Sequence, residues 1–277
     1  MKFSIASYSY HRLLRDGQQD MFGYIEECKT LGAAQLDPWN GTLAPVTAED
    51  ETLYKAGSLA EHFSAESLAY VDRVKAAADA AGLPFGCLAV DGAHIYEITE
   101  AERLARRASA HRWLEVARRL DAAQIRIDAG GKEDMTDEMF EIVVNGYNND
   151  ILPAAHALGL EVIIENHWGA TRLLDNTLRI LGAVEGLGLL LDTNNFVPGT
   201  QVRGWELYAP HTRSVHIKTF NFDANGNDPT VDIPHVIGLL VDAGYDGVWG
   251  VESVPRDGDE RGAVQQTIDL IKRSLNG

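Results

Sequence analysis

Eight short apolar runs recur along the chain with helix-period segments between them, and this alternation constrains the fold more than any other feature. The runs are Phe3–Ser7, Ala34–Asp37, Phe85–Val90, Ile125–Asp128, Glu161–Glu165, Gly188–Asp192, Ser214–Lys218 and Val248–Ser253. Each is nearly continuous in apolar character, as a strand must be when helices cover one face and a packed interior covers the other. Between them, Leu68, Val71, Val74, Ala78 and Ala81 mark one helical face, and Trp113, Val116, Ala117 and Leu120 another. A third runs through Phe140, Val143, Val144, Tyr147, Ile151, Ala154, Ala155 and Leu158. Pro153 lacks an amide hydrogen, so that helix is expected to kink or restart. Leu31-Gly32, Ala81-Gly82, Leu158-Gly159 and Ala243-Gly244 each offer a left-handed cap before the chain turns into sheet.

Eight such units in 277 residues, 45% of them hydrophobic, predict a (β/α)8 TIM barrel, one domain over residues 1–277. An open doubly wound sheet competes, but it needs a glycine-rich loop opening a helix, and Gly186-Leu187-Gly188 leads into a strand. Two connections, Pro38–His62 and Thr219–Ile233, are long for a compact domain, where long loops commonly serve function. The Arg-rich stretch Arg103–Arg119 alternates with alanines at helical spacing and reads as a solvated helix face.

Charge narrows the partners. The balance of 24 Lys+Arg against 41 Asp+Glu gives a formal charge of −17 with no basic cluster, which excludes nucleic acid and anionic membrane surfaces. No run is long and apolar enough to cross a bilayer. The N-terminus lacks the apolar stretch and cleavage pattern of a signal peptide, and the two cysteines, Cys28 and Cys87, have no metal-type spacing. Both features predict a cytoplasmic protein.

In a parallel barrel the working residues lie at the carboxyl ends of the strands, so polar residues closing apolar runs carry the information. Glu165 closes the fifth run, Asp192 the sixth, His216 lies within the seventh and Glu252 near the end of the eighth. A single strand-end carboxylate is ordinarily a cap or a loop acceptor. Four metal-type ligands on consecutive strands call for a cation, because clustered acids repel one another. Three carboxylates and an imidazole suit Mn²⁺ first, with Mg²⁺ or Co²⁺ close behind and Zn²⁺ accommodated.

The segments Ile164-Glu165-Asn166-His167, Leu191-Asp192-Thr193-Asn194-Asn195-Phe196, Val215-His216-Ile217-Lys218 and Gly244-Tyr245-Asp246-Gly247 followed by Glu252 resemble the xylose-isomerase-like barrels of the sugar phosphate isomerase/epimerase family. The resemblance spans most of the chain and is strongest from the fifth strand onward. It implies that Glu165, Asp192, His216 and Glu252 bind one divalent metal and that Glu165 and Glu252 also work as acid and base. It further implies homo-oligomers, since barrels of this family often pair. Two positions depart from the family's pattern: Asn195 stands where many ketose epimerases carry His, and Thr219 follows Lys218 where Asp is common. The motifs therefore specify the metal site and not the substrate.

Around this centre, His167, Lys218, Asn195, Trp39 and His94 are the expected substrate contacts, with Lys218 on the same strand face as His216. Trp168 and Phe196 offer apolar faces to a sugar ring, and His11 and Asp37 stand near the barrel mouth. Arg126 and Asp128 share one face of the fourth strand, where packing within the barrel and contact with substrate are both open, and Gly130-Gly131-Lys132 reads as a turn sooner than as a phosphate contact. The expected activity is divalent-metal-dependent isomerisation or epimerisation of a neutral sugar or cyclitol. Two glutamates would move the proton through a metal-stabilised enediolate. A metal-dependent lyase or dehydratase acting on an oxo-sugar, inosose or oxidised glycoside needs the same apparatus. A sugar-binding barrel without catalysis is the reading of another class.

Overall fold

The computed structural model describes residues 1–276. Eight parallel strands form one sheet: β1 (Phe3–Ala6), β2 (Gln35–Asp37), β3 (Cys87–Tyr96), β4 (Gln124–Gly130), β5 (Glu161–Glu165), β6 (Gly188–Asp192), β7 (Thr212–Thr219) and β8 (Trp249–Ser253). Their order is β2-β1-β8-β7-β6-β5-β4-β3, with parallel pairing throughout. The sheet curls shut where β2 meets β3, through the bridges Leu36–Phe85 and Trp39–Ala89. Helices alternate with the strands, and the result is the (β/α)8 TIM barrel that the sequence pattern predicts.

Side chains alternate along each strand, so one parity faces the helices and the other the barrel axis. Ile125, Ile127, Val162, Ile164, Leu189, Leu191, Val215, Ile217 and Val251 belong to the main core between sheet and helices. The opposite parity holds a small separate cluster, Cys87, Ile163 and Leu190, inside the barrel. Two residues beyond Ile163 and Leu190, on the same parity, stand Glu165 and Asp192. This register aims the polar residues at the barrel mouth without opening the outer core. Gly250 allows the close approach of β7 and β8, because a Cβ there would run into the Val215 carbonyl.

β3 runs well past Val90, where the apolar run stops, because Asp91 and Gly92 form an irregularity rather than an end: its register with β4 shifts between Val90 and His94. Pro38–His62 is not an open loop. It holds a 3-10 turn at Asn40–Thr42 and a helix over Ala44–Lys55. The third helical stripe breaks as Pro153 requires, with Asp137–Gly146 passing through a π-helical stretch, Tyr147–Ile151, into Leu152–Ala157. The Arg-rich helix, Glu100–Leu120, is solvated on one side only. Arg112 lies wholly buried and pairs with Asp50 at 2.8 Å, while Ser109 and Trp113 donate to the same carboxylate at 2.6 and 3.0 Å.

Candidate metal centre

The carboxyl ends of β5 to β8 bring Glu165, Asp192, His216 and Glu252 together, all four buried, with one ligand-type atom from each lying within 4.8 Å of the others. Register explains the convergence: Asp192 sits beside His216 across β6 and β7, and Lys218 beside Glu252 across β7 and β8. His216 Nδ1 stands 2.9 Å from Glu252 Oε2 and 3.6 Å from Glu165 Oε1.

The three carboxylates are held from behind. Asp192 Oδ1 accepts the Asn194 and Asn195 amides at 2.7 and 2.8 Å, fixing the carboxylate against its own loop. Asn166 clamps β5 to β6 through two hydrogen bonds of 2.9 Å with the Asp192 backbone. Lys218 Nζ reaches Asp192 Oδ2, Glu252 Oε1 and Asn195 Oδ1, each at 3.2 Å. Asn195 in turn donates to Glu165 Oε1 at 3.2 Å. Such support fixes donor geometry in advance of a ligand.

On the other side, Arg126 lines the cavity and joins the site, more than the packing role that stood beside substrate contact in the reading of β4. Its guanidinium pairs with Glu165 Oε2 and with Asp91, and its Nε lies 3.7 Å from Asp128. Asp128 Oδ2 holds His167 Nδ1 at 3.1 Å, and Asp91 Oδ2 accepts the Trp39 indole N–H at 2.8 Å. Asp91 escaped the sequence reading altogether, because the Asp91-Gly92 pair looks like a strand terminator. A hydrogen-bonded chain thus runs from Trp39 through Asp91 and Arg126 to Glu165.

Five carboxylates, Asp91, Asp128, Glu165, Asp192 and Glu252, face two fixed cations, Arg126 and Lys218. The imbalance shifts the proton affinities of the buried groups. Burial, with Glu252 and Glu165 adding to it, pushes Asp192 up to about 7. His216 is buried, which disfavours its charge, yet the Glu252 and Glu165 carboxylates hold it up at about 10. Glu165 and Glu252 resist the same desolvation and stay low, the first through His167 and Arg126, the second through Lys218 and His216. His216 Nδ1 is buried without a hydrogen-bond partner although a carboxylate oxygen is 2.9 Å away. An orphaned imidazole nitrogen facing surplus negative charge fits a divalent cation, and the oxygen-rich donor set accommodates Mn²⁺, Mg²⁺, Co²⁺ or Zn²⁺.

The remaining expected contacts divide. Trp39, His167 and Lys218 line a cavity of about 120 Å³ with Glu165, His216 and Glu252. Asn195 stands at its edge through Glu165 and Lys218. His94 does not reach this cavity: it is buried within β3, bonded to Glu97 at 2.8 Å, with Trp168 meeting it edge-on. His11 stacks on Tyr8 and lies 3.2 Å from Glu260. Asp37 borders the cavity from beneath, buried, where it accepts hydrogen bonds from Ser4, Gln35 and the Cys87 amide. Phe196 packs under Tyr208, and Gly130-Gly131 forms the turn expected of it, both glycines at positive φ.

Residues 25–274 match the family model described as xylose isomerase-like TIM barrel. Similar solved structures include the D-allulose 3-epimerase of Methylomonas sp., 13% identical, TM-score 0.71, covering 99% of this chain and 98% of that one. Another is the probable 3-DHS dehydratase AsbF of Bacillus anthracis, 16% identical, TM-score 0.68, with 98% of each chain covered. A third is the IOLI protein with a bound zinc atom, 14% identical, TM-score 0.70, covering 99% and 98%. No curated protein matches the chain in sequence.

Proposed function

The chain belongs to the xylose isomerase-like TIM barrel family, and we propose that it is a divalent-metal-dependent isomerase or epimerase of a sugar or sugar derivative. Supporting this reading above all is the meeting of Glu165, Asp192, His216 and Glu252, with His216 Nδ1 only 2.9 Å from Glu252 Oε2 yet without a completed hydrogen bond. These four would hold the ion, with Mn²⁺ the preferred occupant and Zn²⁺, which the IOLI protein binds, accommodated. An ion held there would supply Lewis acidity, polarising a substrate carbonyl and acidifying the neighbouring C–H.

Glu165 and Glu252 end β5 and β8, on opposite sides of β6 and β7, and so flank whatever is bound between them. They are the proposed proton-transfer pair. Lys218 faces the cavity from β7 and holds Glu252 Oε1, while Arg126 holds Glu165 Oε2, so each glutamate keeps its charge and its direction. Trp39 and His167 border the same space and position the substrate. We place the chain as one domain, acting in the cytoplasm, on a small neutral sugar or cyclitol.

One observation favours a lyase or dehydratase as the second reading: His167, oriented by Asp128, is a further acid beside the cavity, suited to protonating a departing group. Both readings begin with abstraction of a carbon-bound proton. Incubation with Mn²⁺ and a panel of ketoses, inososes and oxo-glycosides in D₂O should therefore place deuterium in one class of compound, and chelation should stop it. Epimer or aldose products support the first reading and loss of water or alcohol the second. No incorporation with any member of the panel would overturn both.

A further inference from the structure

Beside the metal cavity lies a second chamber of about 280 Å³, and His167 lines both. The chamber is bordered by Trp168, Arg172, Glu133, Asn194, Asn195 and Phe196, a lining of aromatic faces and polar amides. Trp168 is the one exposed aromatic among the described residues, at 36%. Its accessible indole face stands against the chamber, where an apolar ring face could pack on it.

The loop that carries it is built, not slack. Gly169, at φ +60, lets the backbone press on the Gly130-Gly131 turn, where a Cβ would come within 2.7 and 2.8 Å of the two carbonyl oxygens. The chain then winds into a 3-10 turn over Gly169–Arg172. His94, itself anchored to Glu97, meets the indole edge-on at 5.1 Å and 84°. The buried histidine that fails to reach the metal cavity thus supports the ring that borders the chamber.

Charge selects the occupant. Arg172 is paired with Glu133 at 3.0 Å and His167 with Asp128 at 3.1 Å, so the chamber presents no unpaired cation for a phosphate. Amide groups, an internally neutral ion pair and an aromatic face match a neutral, hydroxylated ring, whose C–H faces pack on indole while its hydroxyls take the polar partners.

We propose that this chamber is a second-ring subsite and that the substrate is a neutral glycoside or disaccharide-sized sugar derivative. One ring lies in the metal cavity and the next stands against Trp168. The inference rests on the reading of the metal cavity as a sugar site. Calorimetric titration of the Mn²⁺-supplied protein with glucose, glucose 6-phosphate and cellobiose tests it. Cellobiose should bind about tenfold or more tightly than glucose, and glucose 6-phosphate no more tightly than glucose. Trp168→Ala should bring cellobiose down to the level of glucose, with glucose and Mn²⁺ binding and the circular dichroism unchanged, and Trp168→Phe should restore part of the preference. Equal affinity for the two neutral sugars, no measurable binding of either, preference for the phosphate, or an undiminished preference in Trp168→Ala would overturn it. Proton exchange in D₂O is read separately. A cellobiose preference without exchange leaves the subsite and removes the reaction, and exchange without the preference does the reverse.

Discussion

Of the four proposed ligands, Asp192 and His216 are the two whose protons would stand in the way of a cation. In the metal-free protein Asp192 titrates at about 7 and His216 at about 10, because the neighbouring carboxylates favour the proton. A metal and a proton compete for the same atoms, so these raised values make metal affinity climb with pH. Mn²⁺ titrations should show tighter binding at about pH 8 than at about pH 6, with close to two protons released at the lower pH and close to one at the higher. Release of only one proton at both pH values would remove Asp192 from the ligand set, and a flat pH dependence would remove both residues. For the glutamates, the change to Gln keeps one oxygen for coordination and removes the base. Glu165→Gln and Glu252→Gln should each slow deuterium exchange about 10²–10⁴-fold while Mn²⁺ still binds, and the two should differ in the face that loses exchange. Wild-type exchange in both would hand the base role to Lys218 or His167.

The Arg-rich helix over Glu100–Leu120 owes its place to a buried ion pair. Arg112 and Asp50 have side-chain exposures of 0% and 10%, so removal of one partner strands a charge in the core. Arg112→Ala should lower the unfolding free energy by about 3–5 kcal/mol in denaturant titration, and paired replacement by Met and Leu should recover most of the loss. Unchanged stability in Arg112→Ala would contradict the burial. This helix also shows where the sequence could not be read: Arg112 lies beside Trp113 on the apolar stripe, and only its pairing with Asp50 on the helix over Ala44–Lys55 explains its burial. The strand ends were legible for the opposite reason. Glu165 and Asp192 each terminate an apolar run, so period and boundary both point to them. Asp128 closes its apolar run as Glu165 and Asp192 do, but the partners of Arg126 and Asp128, namely Asp91, Glu165 and His167, come from other elements, so nothing local decides between packing and a place in the site.

The barrel as a whole separates its two tasks by side-chain parity. Outward residues of β4 to β8 join the helices in a continuous apolar core, while inward residues carry charge up to the mouth, so the site gains its carboxylates without a gap in the core. The cost of that arrangement is a buried cluster with more negative than positive charge, and the proposed cation would offset it. Metal should therefore stabilise the fold as well as equip it: Mn²⁺ should raise the thermal midpoint in a concentration-dependent way, and Asp192→Ala should abolish the rise. Among the described residues no helix is long and apolar enough to cross a membrane. The claim on which the rest depends is that Glu165, Asp192, His216 and Glu252 hold one divalent ion together. Its most direct test is a Mn²⁺ titration of the metal-free wild type beside Asp192→Ala, with folding of both confirmed by circular dichroism. One tightly bound ion per wild-type chain, and loss of tight binding in the variant, is the expected result; full occupancy with unchanged affinity in Asp192→Ala would contradict it.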